Sequence, residues 1–563
     1  MFKLLAFVLL ATLSTCSASN LPIVDLGYEL HQAISFNSAQ GLYNFSNIRY
    51  AAPPVGDLRF RAPVAPARNR TKVQNGTVGR VCPQAVPIWF QYIEPAFLLS
   101  ISEGTQFNLS TNISSYPYVP TKPDPRTTED CLFLDVVVPE KVFNRSRSSR
   151  ISSGKSLAPV LVWIDGGGFT QGDKTQLNPS GLVNRSTVVG DGVVFVAINY
   201  RLGAFGWLGG HTLMANGTAN AGLHDQRFAL DWISKNIHLF GGDPNQVTVM
   251  GDSAGGGSIM HQITAYGGQN GTSPFQQAIV QSPGWVPTPD DKQPEQALQQ
   301  FLKLLNVSTI AEARKLSSKK LIAANAYQIA TKPSWGEFVY TPVVDGTFVP
   351  KLPGQLLLEG RYDHNLTVMT GHTSNEGIEF TSPDSRNSST YLATLLKKSY
   401  PSVKPNVSSY ITDVLYPPVY NGSHGYNSPF TRVAVANGES AIECNVDYLN
   451  WAFGNQTFAY EFNVPPGLHG LDMLYVFYNK GQSADDGDLP GLKVQNETVA
   501  LIVQDYITSF AQFGAPKSAL GPAFKRYGPQ NMVLNIGNHT IGPMRDTTNA
   551  SRCHFWQTAP YYQ

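Results

Sequence analysis

Ser253 stands inside Gly251-Asp252-Ser253-Ala254-Gly255, directly after the strand-like run Val247-Thr248-Val249-Met250. A serine hydroxyl is a weak nucleophile until a neighbouring base takes its proton. A sharp strand-to-helix turn would expose that hydroxyl, and glycines two positions to either side would let strand and helix approach closely. The Ala254 amide and the dipole of the next helix would then face charge developing on an attacked carbonyl oxygen. A similar string, Gly438-Glu439-Ser440-Ala441-Ile442, lacks the closing glycine. Gly166-Gly167-Gly168-Phe169 follows the apolar run 160–164 and could aim unshielded N–H groups at one oxygen. A phosphate loop is the rival reading, but Asp173-Lys174 follows Gly172, and Gln171 occupies the last glycine position of G-x-G-x-x-G.

These residues need a rigid frame. Apolar runs at 160–164, 193–198, 247–250, 277–281, 366–370 and 457–464 read as buried strands. Helical patterns at 225–240 and 255–266 fall between them. That alternation predicts an α/β protein with a large, mostly parallel sheet. Residues 290–330 and 385–440 also look helical and are expected to cover one end of the sheet.

Composition narrows the function. Charged residues are 14% of the chain and hydrophobic ones 42%, too apolar for disorder. A net charge of +1 leaves no basic footprint for nucleic acid. Residues 1–18 carry an early lysine, a short apolar run at 4–13 and small residues at their end, the pattern of a secretory leader. That run is too short to span a bilayer, so a secreted protein of residues 19–563 with no membrane span is expected. Asn-x-Ser/Thr sequons recur from Asn44 to Asn549 and predict N-linked glycans. Setting Cys16 aside with the leader leaves Cys82, Cys131, Cys444 and Cys553, an even set that predicts two disulfides. No Cys/His cluster has zinc spacing, so no metal is expected.

Several blocks resemble the type-B carboxylesterase/lipase family, whose cholinesterase-like members share the α/β-hydrolase fold. They are Glu129-Asp130-Cys131-Leu132, Asn220-Ala221-Gly222-Leu223-His224-Asp225-Gln226, Phe240-Gly241-Gly242-Asp243-Pro244 running on to Ser253, Asn375-Glu376-Gly377 and His469-Gly470. The resemblance implies one catalytic domain over 19–563, with helical excursions around an active-site gorge and no cofactor. It also implies the pairs Cys82–Cys131 and Cys444–Cys553. Asp165 and Asp252 depart from the pattern: His or an aromatic residue is commoner at the first position and Glu at the second.

In this fold the acid and then the base follow the serine in the chain. His424, His539 and His554 lie in a Gly/Ser loop, in a sequon and beside a cysteine, whereas His469 follows the 457–464 strand on a Pro-Pro-Gly loop. Glu376 follows the 366–370 strand; Glu379, Asp363 and Asp345 are its rivals, and the resemblance favours Glu376. Ser253, Glu376 and His469 would then form the triad, with Gly167, Gly168 and Ala254 as the oxyanion hole. The implied activity is hydrolysis of uncharged, relatively apolar small-molecule esters. A lipase or sterol esterase acting at a lipid interface, and a non-catalytic adhesion protein, are the alternatives. Phe169, Trp285 and Trp89 are candidate pocket walls, and the apolar stretch 86–99 is read either as a flap or as packing on the core.

Overall fold

The computed structural model describes residues 21–120, 124–147, 157–269, 271–288, 291–481 and 492–562. The expected leader (1–18), the Asn270 sequon and most of the loop 481–491 lie outside them.

Eleven strands form one sheet among the described residues. In chain order they are β1 (Ser35–Asn37), β2 (Leu42–Arg49), β3 (Phe133–Pro139), β4 (Ala158–Ile164), β5 (Val194–Ile198), β6 (Gly242–Asp252), β7 (Gln277–Gln281), β8 (Thr367–Thr373), β9 (Phe458–Phe462), β10 (Met532–Ile536) and β11 (Ile541–Arg545). Their spatial order is β11-β10-β9-β8-β7-β6-β4-β5-β3-β2-β1. The run from β5 across to β10 is parallel, and the flanking pairs are antiparallel. The sheet is therefore mixed, with the parallel part in the middle.

Alternation along each strand divides the core. Val160, Val162 and Ile164 of β4 pack into one cluster with Leu223, Leu230 and Ile233 of the helix Ala221–Asn236 and Ile259 of the helix Ala254–Ile263. Leu161 and Trp163 pack into the other with Leu182 and Val183 of Ser180–Val189 and Phe510 of Glu497–Phe513. Covered on both faces, the central strands read as nearly unbroken apolar runs.

Several expected boundaries move. The helix expected at 225–240 starts at Ala221 because left-handed Asn220 (φ 54°) precedes it. Its tail tightens into the 3₁₀ turn Ile237–Phe240. Asn220 also clamps the 343–345 segment, donating to the Val343 carbonyl at 2.8 Å and to Asp345 at 2.7 Å. The helix expected at 255–266 ends at Ile263, before Tyr266 and Gly267 turn to positive φ. The expected helical excursions appear as Lys292–Leu305, Ile310–Arg314 and Ser318–Thr331, then Tyr391–Ser399, Pro405–Tyr410 and Pro429–Gly438. Cys82 is disulfide-bonded to Cys131 and Cys444 to Cys553.

Candidate active site

β6 delivers Ser253 at its C-terminal end, and the helix Ala254–Ile263 begins at the next residue. Ser253 itself adopts φ 56° and ψ −124°, a strained conformation for a residue with a Cβ. Surrounding backbone holds it there. Its N–H donates to the Gln281 carbonyl (3.1 Å), and its carbonyl accepts from Gly257 (2.8 Å) and Gly284 (2.9 Å). The flanking glycines are needed for space: a Cβ on Gly251 would sit 2.8 Å from the Ile164 oxygen, and one on Gly255 only 2.1 Å from that same atom. Ala254 opens the helix, so its N–H has no acceptor within it. Gly167 (φ 94°) and Gly168 (φ 58°) turn beside Ser253, and a Cβ on Gly168 would lie 2.3 Å from the Phe338 ring.

β8 and β9 supply the other two groups from the loops after their C-terminal ends. Glu376 opens a short helical turn, and His469 precedes Gly470, the left-handed residue at the start of Leu471–Val476. His469 Nδ1 and Glu376 Oε2 are 2.5 Å apart, and both residues are buried. The second carboxylate oxygen accepts from the Thr373 N–H (2.6 Å) and the Ser282 hydroxyl (2.7 Å). Burial alone would raise the Glu376 pKa, but the charge and hydrogen bond of His469, with His372 and Ser282, outweigh it and hold the carboxyl low. Burial alone would lower the His469 pKa, and the facing Glu376 reverses that, raising it. His469 Nε2 is buried with no hydrogen-bond partner among the described residues. An imidazole anchored at Nδ1 with Nε2 unengaged, beside a half-buried elbow serine, can move a proton.

Two cavities share Gly168, Ser253, Phe338 and Phe380 as walls. One, of about 360 Å³, runs past Phe169 and Trp285 to Tyr400 and Trp556. The other, of about 90 Å³, is lined by Phe90, Gly167, Gln171, Asp252, His469 and Met473 among others. Phe169 and Trp285 thus reach the larger cavity. Trp89 reaches neither: it is fully buried behind Phe90, Trp335 and Phe338, and its indole N–H donates to the Glu337 carbonyl at 3.1 Å. The expectation of a Trp89 wall is corrected, because the 86–99 stretch coils into helix (Trp89–Ile93, then Glu94–Glu103) and turns Phe90 inward.

Other candidates are engaged elsewhere. Asp363 accepts from the Ser273 N–H (2.6 Å) and Asp345 from Asn220 and the Thr347 N–H. Ser440 lies within the helical turn Glu439–Glu443. Asp165 is buried and accepts from the Trp163 indole at 2.6 Å. Asp252 is buried with Oδ1 lacking a partner among the described residues. Burial, aided by Asp472 and Glu376 and opposed by His469, pushes its pKa well above the usual carboxylate range. Ser282, whose hydroxyl donates to Glu376, is signalled in the sequence only by its place before Pro283-Gly284 at the end of β7. His211, Asp291 and Glu295 bring ligand atoms within 4.8 Å of one another at the surface, where His211 already pairs with Asp291 at 2.8 Å.

A serine elbow at the end of a central parallel strand, with an acid and a histidine on the loops after two later strands, defines an α/β-hydrolase. The chain belongs to the Carboxylesterase family, whose profile matches residues 32–556, and it is a carboxylic ester hydrolase. It is 41% identical over 574 residues to carboxylesterase patB of Penicillium expansum, covering 99% of each chain. Lipase 1 of Geotrichum candidum is 35% identical over 353 residues, covering 59% of each chain. Among solved structures, EstA of Aspergillus niger superposes with a TM-score of 0.77 at 25% identity, covering 96% of this chain and 99% of its own.

Proposed function

We propose that this protein is a secreted serine carboxylesterase with a Ser253-His469-Glu376 triad, acting on uncharged, largely apolar esters. The observation that carries the reading is the 2.5 Å His469–Glu376 contact beside a strained Ser253 that shares a cavity wall with His469. Ser253 Oγ attacks the ester carbonyl while His469 Nε2 takes its proton. The carbonyl oxygen becomes an oxyanion received by the N–H groups of Gly167, Gly168 and Ala254. The tetrahedral adduct collapses, the C–O bond to the alcohol breaks, and His469 returns the proton to the leaving oxygen. Water, deprotonated by His469, then releases the acid and restores Ser253. Glu376 orients the imidazole and stabilises its cationic form without taking the proton.

Secretion is supported by the 1–18 leader pattern, the two disulfides and the sequons. Among the described residues no helix is long and apolar enough to cross a membrane. Residues 19–563 are read as one catalytic domain. The test is hydrolysis of short-chain, long-chain, feruloyl and steryl esters by the wild type and by Ser253→Ala. Wild-type activity abolished in the variant supports the reading; equal inactivity on every ester refutes it. A lipase reading draws on the relatives named lipase and on Leu99, which is 46% exposed on the helix next to Phe90. It requires activity to jump once a triglyceride exceeds its solubility.

A further inference from the structure

The two cavities at Ser253 differ about four-fold in volume, and the triad chemistry decides which part of an ester each receives. The proton that His469 Nε2 takes from Ser253 must later reach the leaving alcohol oxygen, so the alcohol departs on the His469 side. His469 lines the smaller cavity and does not line the larger. The acyl group is left with the other direction, past Trp285.

That larger space, about 360 Å³, falls in the range of whole ligand pockets. Its walls include Trp285, Phe338, Leu392, Leu396, Tyr400 and Trp556. The smaller one, about 90 Å³, is about a quarter of that. It carries Gln171, Asp252, Glu379 and His469 on its walls, and Asp252 Oδ1 is buried without a partner among the described residues. Trp163, Leu177, Met473 and Phe90 also line it, and Trp89 packs behind Phe90.

Resting on the triad reading above, we propose that the preferred substrates are esters of a bulky, apolar or aromatic acid with a small, polar alcohol. The acid occupies the Trp285 cavity and the alcohol the His469 cavity. The asymmetry runs against esters of small acids with bulky alcohols.

Isomeric alkyl esters test this without changing composition. Methyl 2-naphthylacetate places the ring on the acyl side, and 2-naphthylmethyl acetate places it on the alcohol side. The expected kcat/KM ratio is at least ten-fold in favour of the methyl ester. Leu177→Ala, which widens the smaller cavity, should narrow that ratio by raising turnover of the naphthylmethyl ester. For a fixed arylacetic acid, the 2-hydroxyethyl ester should exceed the similarly sized propyl ester by roughly five-fold, the worth of about one hydrogen bond. A ratio near one, or one favouring 2-naphthylmethyl acetate, overturns the size assignment. A propyl ester that matches or beats the hydroxyethyl ester overturns the polar-alcohol assignment. These failures differ from failure of the triad: if no ester is cleaved, or Ser253→Ala cleaves them as fast, the underlying reading falls instead.

Discussion

The proposed nucleophile and the proposed base are held by opposite means. Ser253 is fixed by backbone: a positive φ, three main-chain hydrogen bonds, and glycines on either side where a Cβ would strike a carbonyl oxygen. The proposed base is fixed by side chains: His469 is tied to a Glu376 carboxylate that is itself pinned by Ser282 and the Thr373 amide. Steric placement fails all at once when volume is added. Electrostatic placement weakens step by step as partners are removed. The contrast predicts how each half breaks.

The largest effect falls on the serine. Ser253→Ala should lower kcat by about 10⁵–10⁶ with little change in melting temperature, because the backbone and not the hydroxyl holds the turn. Single-turnover kinetics and a thermal melt check both parts. Glu376→Gln should cost about 10³–10⁴ in kcat, since the amide no longer stabilises the imidazolium or enforces its tautomer. It should also shift the pH profile in a definite direction. The Glu376 charge raises the His469 pKa, so the wild-type rise of kcat/KM with pH lies above the unperturbed histidine value of about 6.5. Removing that charge should move the rise to lower pH while reducing its height; a limb that stays put contradicts the electrostatic half of the contrast.

Gly255→Ala attacks the steric half. With a Cβ 2.1 Å from the Ile164 oxygen, strand and helix must part, and a stability loss of roughly 4 kcal/mol or more is expected from denaturant unfolding. Ser282→Ala is the mildest change. Glu376 keeps the Thr373 amide and His469, so about 1 kcal/mol of transition-state stabilisation should be lost, a several-fold drop in kcat.

The same division explains what could be read from the chain alone. The elbow was legible because steric demands leave glycines at fixed offsets from Ser253, and both faces of the central strands must be apolar. The sheet edges were not: β2, with its half-buried tyrosine and asparagines, and the antiparallel β10–β11 pair carry weak alternation that a single sequence does not separate from loop. Glu376 competed with Glu379, Asp363 and Asp345 because a carboxylate shows nothing of its future partners. Ser282 escaped notice for the same reason, since its hydrogen bond to Glu376 spans 94 residues. Trp89 misled because an aromatic side chain in a flap-like stretch fits a core as readily as a pocket; the π-helical turn Trp89–Ile93 sets which ring faces inward.

Reaction with a fluorophosphonate tests the central claim most directly. The reagent phosphonylates a serine only where a base activates it and an oxyanion site receives the new oxygen. Peptide mass mapping should find one adduct, on Ser253, formed quickly by the wild type, slowly by Glu376→Gln and not at all by Ser253→Ala. An adduct on another serine, or labelling unaffected by Glu376→Gln, would contradict the account.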